Sequence, residues 1–153
     1  MAYIKGRYLN PERGEGYHGS FLGIAGTGGV AENDIVIAVG YSGDQIKFVK
    51  ADANATGKQA GVMGVAKHAA DADETFVVLS HKLVKNVDTS DSAAVGYPVY
   101  LDDLTPGGWH DEEQPNAIVV GSVLEKHAST GVVLLAPAKV VTGIDGDGDP
   151  VIA

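Results

Sequence analysis

The 153 residues contain no cysteine, which excludes disulfide staples and thiolate chemistry and leaves the redox compartment open. No run approaches the ~20 consecutive apolar residues that a membrane-spanning helix needs. The opening MAYIKGRYLNPERGEG holds no apolar h-region, so no secretory signal is expected there. Positive charge is scarce: 11 Lys and Arg stand against 20 Asp and Glu, a formal net charge of −9. That balance argues against a nucleic-acid surface built on general electrostatic attraction, so neither direct nucleic-acid binding nor a membrane partner is expected. Tryptophan occurs once, at Trp109.

What is abundant is glycine and apolar side chains. Twenty-one glycines, six prolines and 44% apolar residues with only 20% charged ones suit an all-β chain of tight turns. The length argues for one domain with an arm or tail, large enough to bury roughly 70% of the surface its unfolded form exposes. The charge is uneven. Residues 1–20 carry Lys5, Arg7 and Arg13 against Glu12 and Glu15, three minus two, or +1. Residues 71–116 carry ten acids against Lys82 and Lys85, or −8. The second region reads first as a solvated acidic face; the sharper reading turns that face outward while the near-neutral N-terminal segment meets a partner.

Residues 1–20 read as an extended arm that docks against a partner or packs back on its own domain. Tyr3, Ile4, Tyr8, Leu9 and Tyr17 lie among glycines and a proline too dense for a helix or a long strand. Phe21–Ala25 is a short apolar run that ends in the turn Gly26-Thr27-Gly28-Gly29. Gly26-x-Gly28-x-x-Ala31 matches a loose dinucleotide fingerprint, but the next segment, Asp34–Val39, is β-branched where that motif needs a helix. Ile46 and Phe48 alternate with Gln45 and Lys47, the pattern of a half-buried strand. Asn54-Ala55-Thr56 spells a glycosylation acceptor and reads as a chance match. Gly61–Ala66 fits a helical stripe in part, yet two glycines costing about 1 kcal/mol each favour a strand. Thr75–Leu79 is a clear strand that Lys82–Val87 should continue or pair with. Thr89–Ala94 offers N-cap residues and alanines for one helical turn.

The stretch Val95–Pro137 reads as the core of the sheet or barrel. Val95, Tyr97, Val99 and Leu101 set one face of a strand; Pro98, lacking an N–H, places that strand at an edge or bulge. Asp103–Asn116 is a long acidic loop around Trp109. Ile118–Leu124 and Val132–Ala136 are apolar on both alternating faces, as in strands covered on both sides. The tail from Lys139 to Ala153 contains Asp145-Gly146-Asp147-Gly148-Asp149, which resembles the start of a calcium loop. Pro150 stands where that loop requires glycine, so a flexible acidic tail is the better reading and no metal or other cofactor is expected.

No catalytic constellation is spelled out. The five histidines, His18, His68, His81, His110 and His127, show no HxxxH or HExxH spacing. Ser42 in Gly40-Tyr41-Ser42-Gly43 lacks the spacing of a nucleophile elbow and reads as a turn residue. Asp102-Asp103 and Glu112-Glu113 are adjacent pairs in a polar loop, unlike the separated carboxylates of a glycosidase. A non-enzymatic structural or binding module is the expectation. Trp109 reads first as a core plug and second as a carbohydrate platform, which makes a glycan- or ligand-binding head appendage the alternative function.

Gly61–Ala66 (GVMGVA), Val95–Leu101 (VGYPVYL) and Val120–Glu125 (VGSVLE) follow in an order that resembles the small capsid decoration, or cement, proteins of tailed bacteriophages. The likeness covers residues 30–137; the Asp145–Asp149 tail and the longer Asp103–Asn116 loop depart from it. It implies a mainly β fold, a small β-barrel or β-tulip with an extended N-terminal arm and short helical turns. The expected domains are the arm (1–20), the decoration domain (21–138) and the acidic tail (139–153). It further implies a homotrimer on the outer surface of the phage head, assembled in the host cytoplasm, with the major capsid protein as partner. On that resemblance Tyr3, Ile4, Arg7, Tyr8, Leu9 and Tyr17 are the capsid-binding arm residues. Tyr97, Pro98, Tyr100 and Trp109 are the subunit-interface candidates.

Overall fold

The computed structural model describes residues 20–59, 61–137, 141–144 and 150–152, and the described residues form strands, turns and bends with no helix. Strands β1 (Ser20–Ala25), β2 (Ile35–Ser42), β3 (Gln45–Lys50), β4 (Met63–Ala66) and β5 (Thr75–Leu79) close into a barrel in the order β1-β3-β2-β4-β5. Closure comes from β1, which pairs parallel with β3 and antiparallel with β5. All other pairs are antiparallel. The β2–β3 hairpin turns on Gly43 at φ 61°, a left-handed first position that a two-residue turn requires.

The barrel interior is small and aromatic. Phe48 and Phe76 meet edge-to-face at its centre, with centroids 6.2 Å apart and planes at 82°. Val36, Ala66 and Val78 pack around them. Gly23 of β1 makes this possible, because a Cβ there would lie 2.6 Å from the Phe48 ring.

A second, open sheet follows: β6 (Lys82–Val87), β7 (Pro98–Leu101), β8 (Trp109–His110), β9 (Val119–Glu125) and β10 (Gly131–Leu135), ordered β6-β10-β9-β7-β8 and antiparallel throughout. Its inner face, with Val84, Val99, Leu101, Val123, Val133 and Leu135, packs with Ile35, Ile37, Met63 and Val65. Strands β2 and β4 therefore form a shared wall: Val36 and Ala66 point into the barrel, while Ile35, Ile37 and Val65 point to the second sheet. Fully burying a Val or Ile side chain contributes about 1.5–3 kcal/mol, and this wall buries four of them, Ile35, Val36, Ile37 and Val65. Beyond the sheet, β11 (Val141–Ile144) pairs antiparallel with β12 (Pro150–Ile152).

The mainly β fold with a closed barrel is as the sequence leads one to expect, and Gly61–Ala66 contains a strand. Several local expectations are corrected. Of the sheet or barrel expected from Val95–Pro137 the open sheet is what forms, with β6 as its fifth strand, and the barrel is built by residues 20–79 instead. The strands covered on both sides are β2 and β4; β9 and β10 bury one face, leaving Leu124 45% and Val119 39% exposed. Lys82–Val87 neither continues nor pairs with Thr75–Leu79, because the chain leaves the barrel at Ser80-His81 and β6 joins β10. Thr89–Ala94 forms turns and bends, since buried Thr89 is tied across the chain to Glu125 and His127. Part of the tail read as flexible is the β11–β12 ladder; Asp145–Asp149 lie outside the described residues.

Candidate functional site

The interface candidates separate according to which side of the second sheet they occupy. On β7 the inward residues Val99 and Leu101 are fully buried, so Pro98 and Tyr100 take the outward side. Tyr97 precedes the strand, is 52% exposed, and is fixed by its backbone, its N–H donating to Ala94 O and its carbonyl accepting from Val123 N. Pro98 pairs with Ser122 of β9, while β8 reaches only Tyr100 and Leu101, so the N-terminal part of β7 has a free edge as its proline suggested.

These three residues line a cleft of about 240 Å³ with Ala93 and four carboxylates, Asp91, Asp111, Glu112 and Glu113. Asp111 is anchored, its Oδ2 accepting the Ser92 N–H at 2.8 Å, and Ser92 is itself buried. Asp91, Glu112 and Glu113 are exposed. The wall of two phenol rings and a proline under a negative rim suits a cation lying against an aromatic face.

Trp109 belongs elsewhere. Its ring packs against the core shared by barrel and sheet, and its indole N–H donates to Asn33 O at 3.2 Å. The indole is a core plug, and its polar handle is occupied.

A second cleft, of about 210 Å³, lies at the Thr27-Gly28-Gly29 turn between Lys50, Lys58, Asp52 and Pro106. Beside it Asp34 accepts from Ala31 N at 2.8 Å and lies 3.7 Å from Lys50 Nζ. Burial pushes the Asp34 carboxyl above the usual carboxylate range, against the opposing pull of the Ala31 N–H and Lys50. Gly107, at φ 81°, closes over this carboxylate; its N–H donates to Ala51 O and its carbonyl accepts from Ile35 N. With lysines and carboxylates in near balance, the cleft favours no one charge.

The acidic loop is more structural than its composition indicates. Asp102 Oδ1 accepts from Leu104 N at 2.7 Å, and Asp103 Oδ2 accepts from Asn116 Nδ2 at 2.8 Å. Asn54 is committed to this loop, its amide N–H bonded to Asp103 O and its Oδ1 accepting from Asn116 Nδ2 at 2.9 Å. The glycosylation-like triplet thus carries a structural tie. His68, His81, His110 and His127 are exposed, and no group of three or more His, Asp or Glu suited to a metal ion occurs among the described residues. His18 and the arm residues Tyr3, Ile4, Arg7, Tyr8, Leu9 and Tyr17 lie outside the described residues.

The convergence of Asp91 and Asp111–Glu113 on Tyr97 and Tyr100 has no signature in spacing. It depends on β8 folding back beside β7 and on the Ser92–Asp111 bond.

Together the fold and the cleft define a mainly β protein, a barrel backed by a sheet whose outer side carries an acid-rimmed aromatic recess. No family model and no curated protein matches the chain. Among solved structures it is similar to the head fiber gp8.5 N base of bacteriophage phi29, at 17% identity over 79% of this chain and 96% of that one, with a TM-score of 0.47. A likeness that loose transfers no function.

Proposed function

We propose that this protein is a non-enzymatic decoration protein of a tailed-phage head, binding the outer surface of the shell as trimers and stiffening it against the pressure of packed DNA. The observation that carries the reading is where the resembling segments fall. Gly61–Ala66, Val95–Leu101 and Val120–Glu125 contribute to β4, β7 and β9, and their buried residues Met63, Val65, Val99, Leu101, Val120 and Val123 meet in one core. The three short motifs thus act as one packed unit, as an inherited module requires.

The outer side of the second sheet supports an assembly role. Leu83 is 47% exposed, and its register partner Leu134 stands beside it, with Leu124 on the next strand. This apolar surface supports the reading of that side as a contact surface. A trimer bridging neighbouring shell subunits multiplies weak contacts through avidity, and residues 1–20 act as the tether to the major capsid protein. Removing residues 1–20 should abolish binding to empty heads while thermal unfolding of the domain remains cooperative. A truncated protein that decorates heads as well as the full chain does would refute the tether.

A further inference from the structure

The outward side of β7 and the sheet beside it have no partner among the described residues, and their chemistry is specific. The recess at Tyr97, Pro98 and Tyr100 carries four carboxylates and no cation in its lining. On the same sheet a cross-strand row runs from Pro98 through Ser122 and Leu134 to Leu83, which is 47% exposed, and Leu124 on β9 is 45% exposed. An occupant must therefore combine cations with apolar or aromatic side chains. One segment of this chain does so: residues 1–19 hold Lys5, Arg7 and Arg13 interleaved with Tyr3, Ile4, Tyr8, Leu9 and Tyr17, net positive on a chain of net charge −9.

We propose that the recess at Tyr97–Tyr100 is the docking surface for residues 1–19 of the same chain, with the arm's basic side chains against the tyrosine rings and Glu112 and Glu113. Reach is ample, since 19 extended residues at roughly 3.3 Å each span about 60 Å, whereas a domain of this size has a radius of gyration of roughly 15 Å. Tethering places the segment at an effective concentration in the millimolar range, so modest affinity suffices to keep it docked. The carboxylates provide the attraction and the rings a face for a guanidinium. The apolar side chains of the arm then lie over surface that Leu124 and Leu83 otherwise expose to water. This docking does not depend on head decoration; on a head, the shell would compete for the same segment.

The absence of cysteine allows a direct test on the full chain. Ala2→Cys and Ala93→Cys, spin-labelled together, should give a short, narrow distance population by pulsed electron paramagnetic resonance at low ionic strength. That population should be lost at about 1 M salt, where the screening length is about 3 Å, and in the Glu112→Lys/Glu113→Lys variant whose urea midpoint is unchanged. A broad distribution indifferent to salt would overturn the proposal. So would a short distance seen only when singly labelled copies are mixed, which would assign the recess to a second copy.

Discussion

Thr89 is a fully buried polar residue whose hydroxyl donates to Glu125 O at 2.8 Å and accepts from His127 N at 2.9 Å. It joins the turn after β6 to the β9–β10 turn. Thr89→Val keeps the shape and removes both the donor to Glu125 O and the acceptor of the part-buried His127 N–H, which together should cost about 1–3 kcal/mol. The urea midpoint should fall with the slope unchanged. Gly107→Ala meets two obstacles at once, a left-handed backbone and a Cβ 2.9 Å from the Asp34 carboxyl carbon. The left-handed conformation alone costs roughly 1–2 kcal/mol, so a lower melting temperature is expected. Asp34 makes an acid-side prediction. Burial raises its folded pKa above that of the unfolded chain, so the folded state binds the proton more tightly in the window between the two values. Its contribution to stability is greatest below the unfolded value and is lost as pH rises through the folded one. Urea titrations of wild type and Asp34→Asn at pH 7 and at pH 3.5 should show wild type gaining relative to the variant at the lower pH. An unchanged difference would remove Asp34 as the cause.

Among the elements, β2 and β4 hold the molecule together, because each presents apolar groups to two cores. Barrel packing depends most on the Phe48–Phe76 pair, and Phe76→Ala should cost about 3–5 kcal/mol as a large-to-small change in a closed core. Chemical denaturation followed by far-UV circular dichroism would measure it. The strands themselves were readable from β-branched runs and glycine punctuation: Thr75–Leu79 is β5, while Asp34–Val39 and Val132–Ala136 overlap most of β2 and β10. The partners were not readable. Ile35, Val36 and Ile37 read as one continuous apolar run, and only the closed barrel behind and the sheet in front explain why all three are buried. In β9 and β10 the same kind of run buries one face, because nothing among the described residues covers the other. Run composition reports apolar surface without saying what covers it. Pro98 carried a local rule, a missing N–H, and so located a free edge correctly. The acidic recess beside it required β8 to fold back, a long-range event that leaves no trace in spacing.

At the scale of the whole molecule, a formal net charge of −9 coexists with exposed leucines and tyrosines on the outer side of the second sheet, the combination on which the proposed assembly role rests. The Trp109 indole, held against the core by its bond to Asn33, is poorly placed as a glycan platform. Trp109→Phe should therefore lower stability and leave any surface binding intact, as glycan-array and melting measurements on the same sample would separate. Co-sedimentation of the purified full chain with empty, expanded tailed-phage heads is the decisive measurement of the proposed head decoration. Saturable binding at three copies per site on the shell is expected, with the copies on the outside and open to protease. A chain that stays in the supernatant at saturating concentration, with heads whose mechanical strength is unchanged, would contradict it.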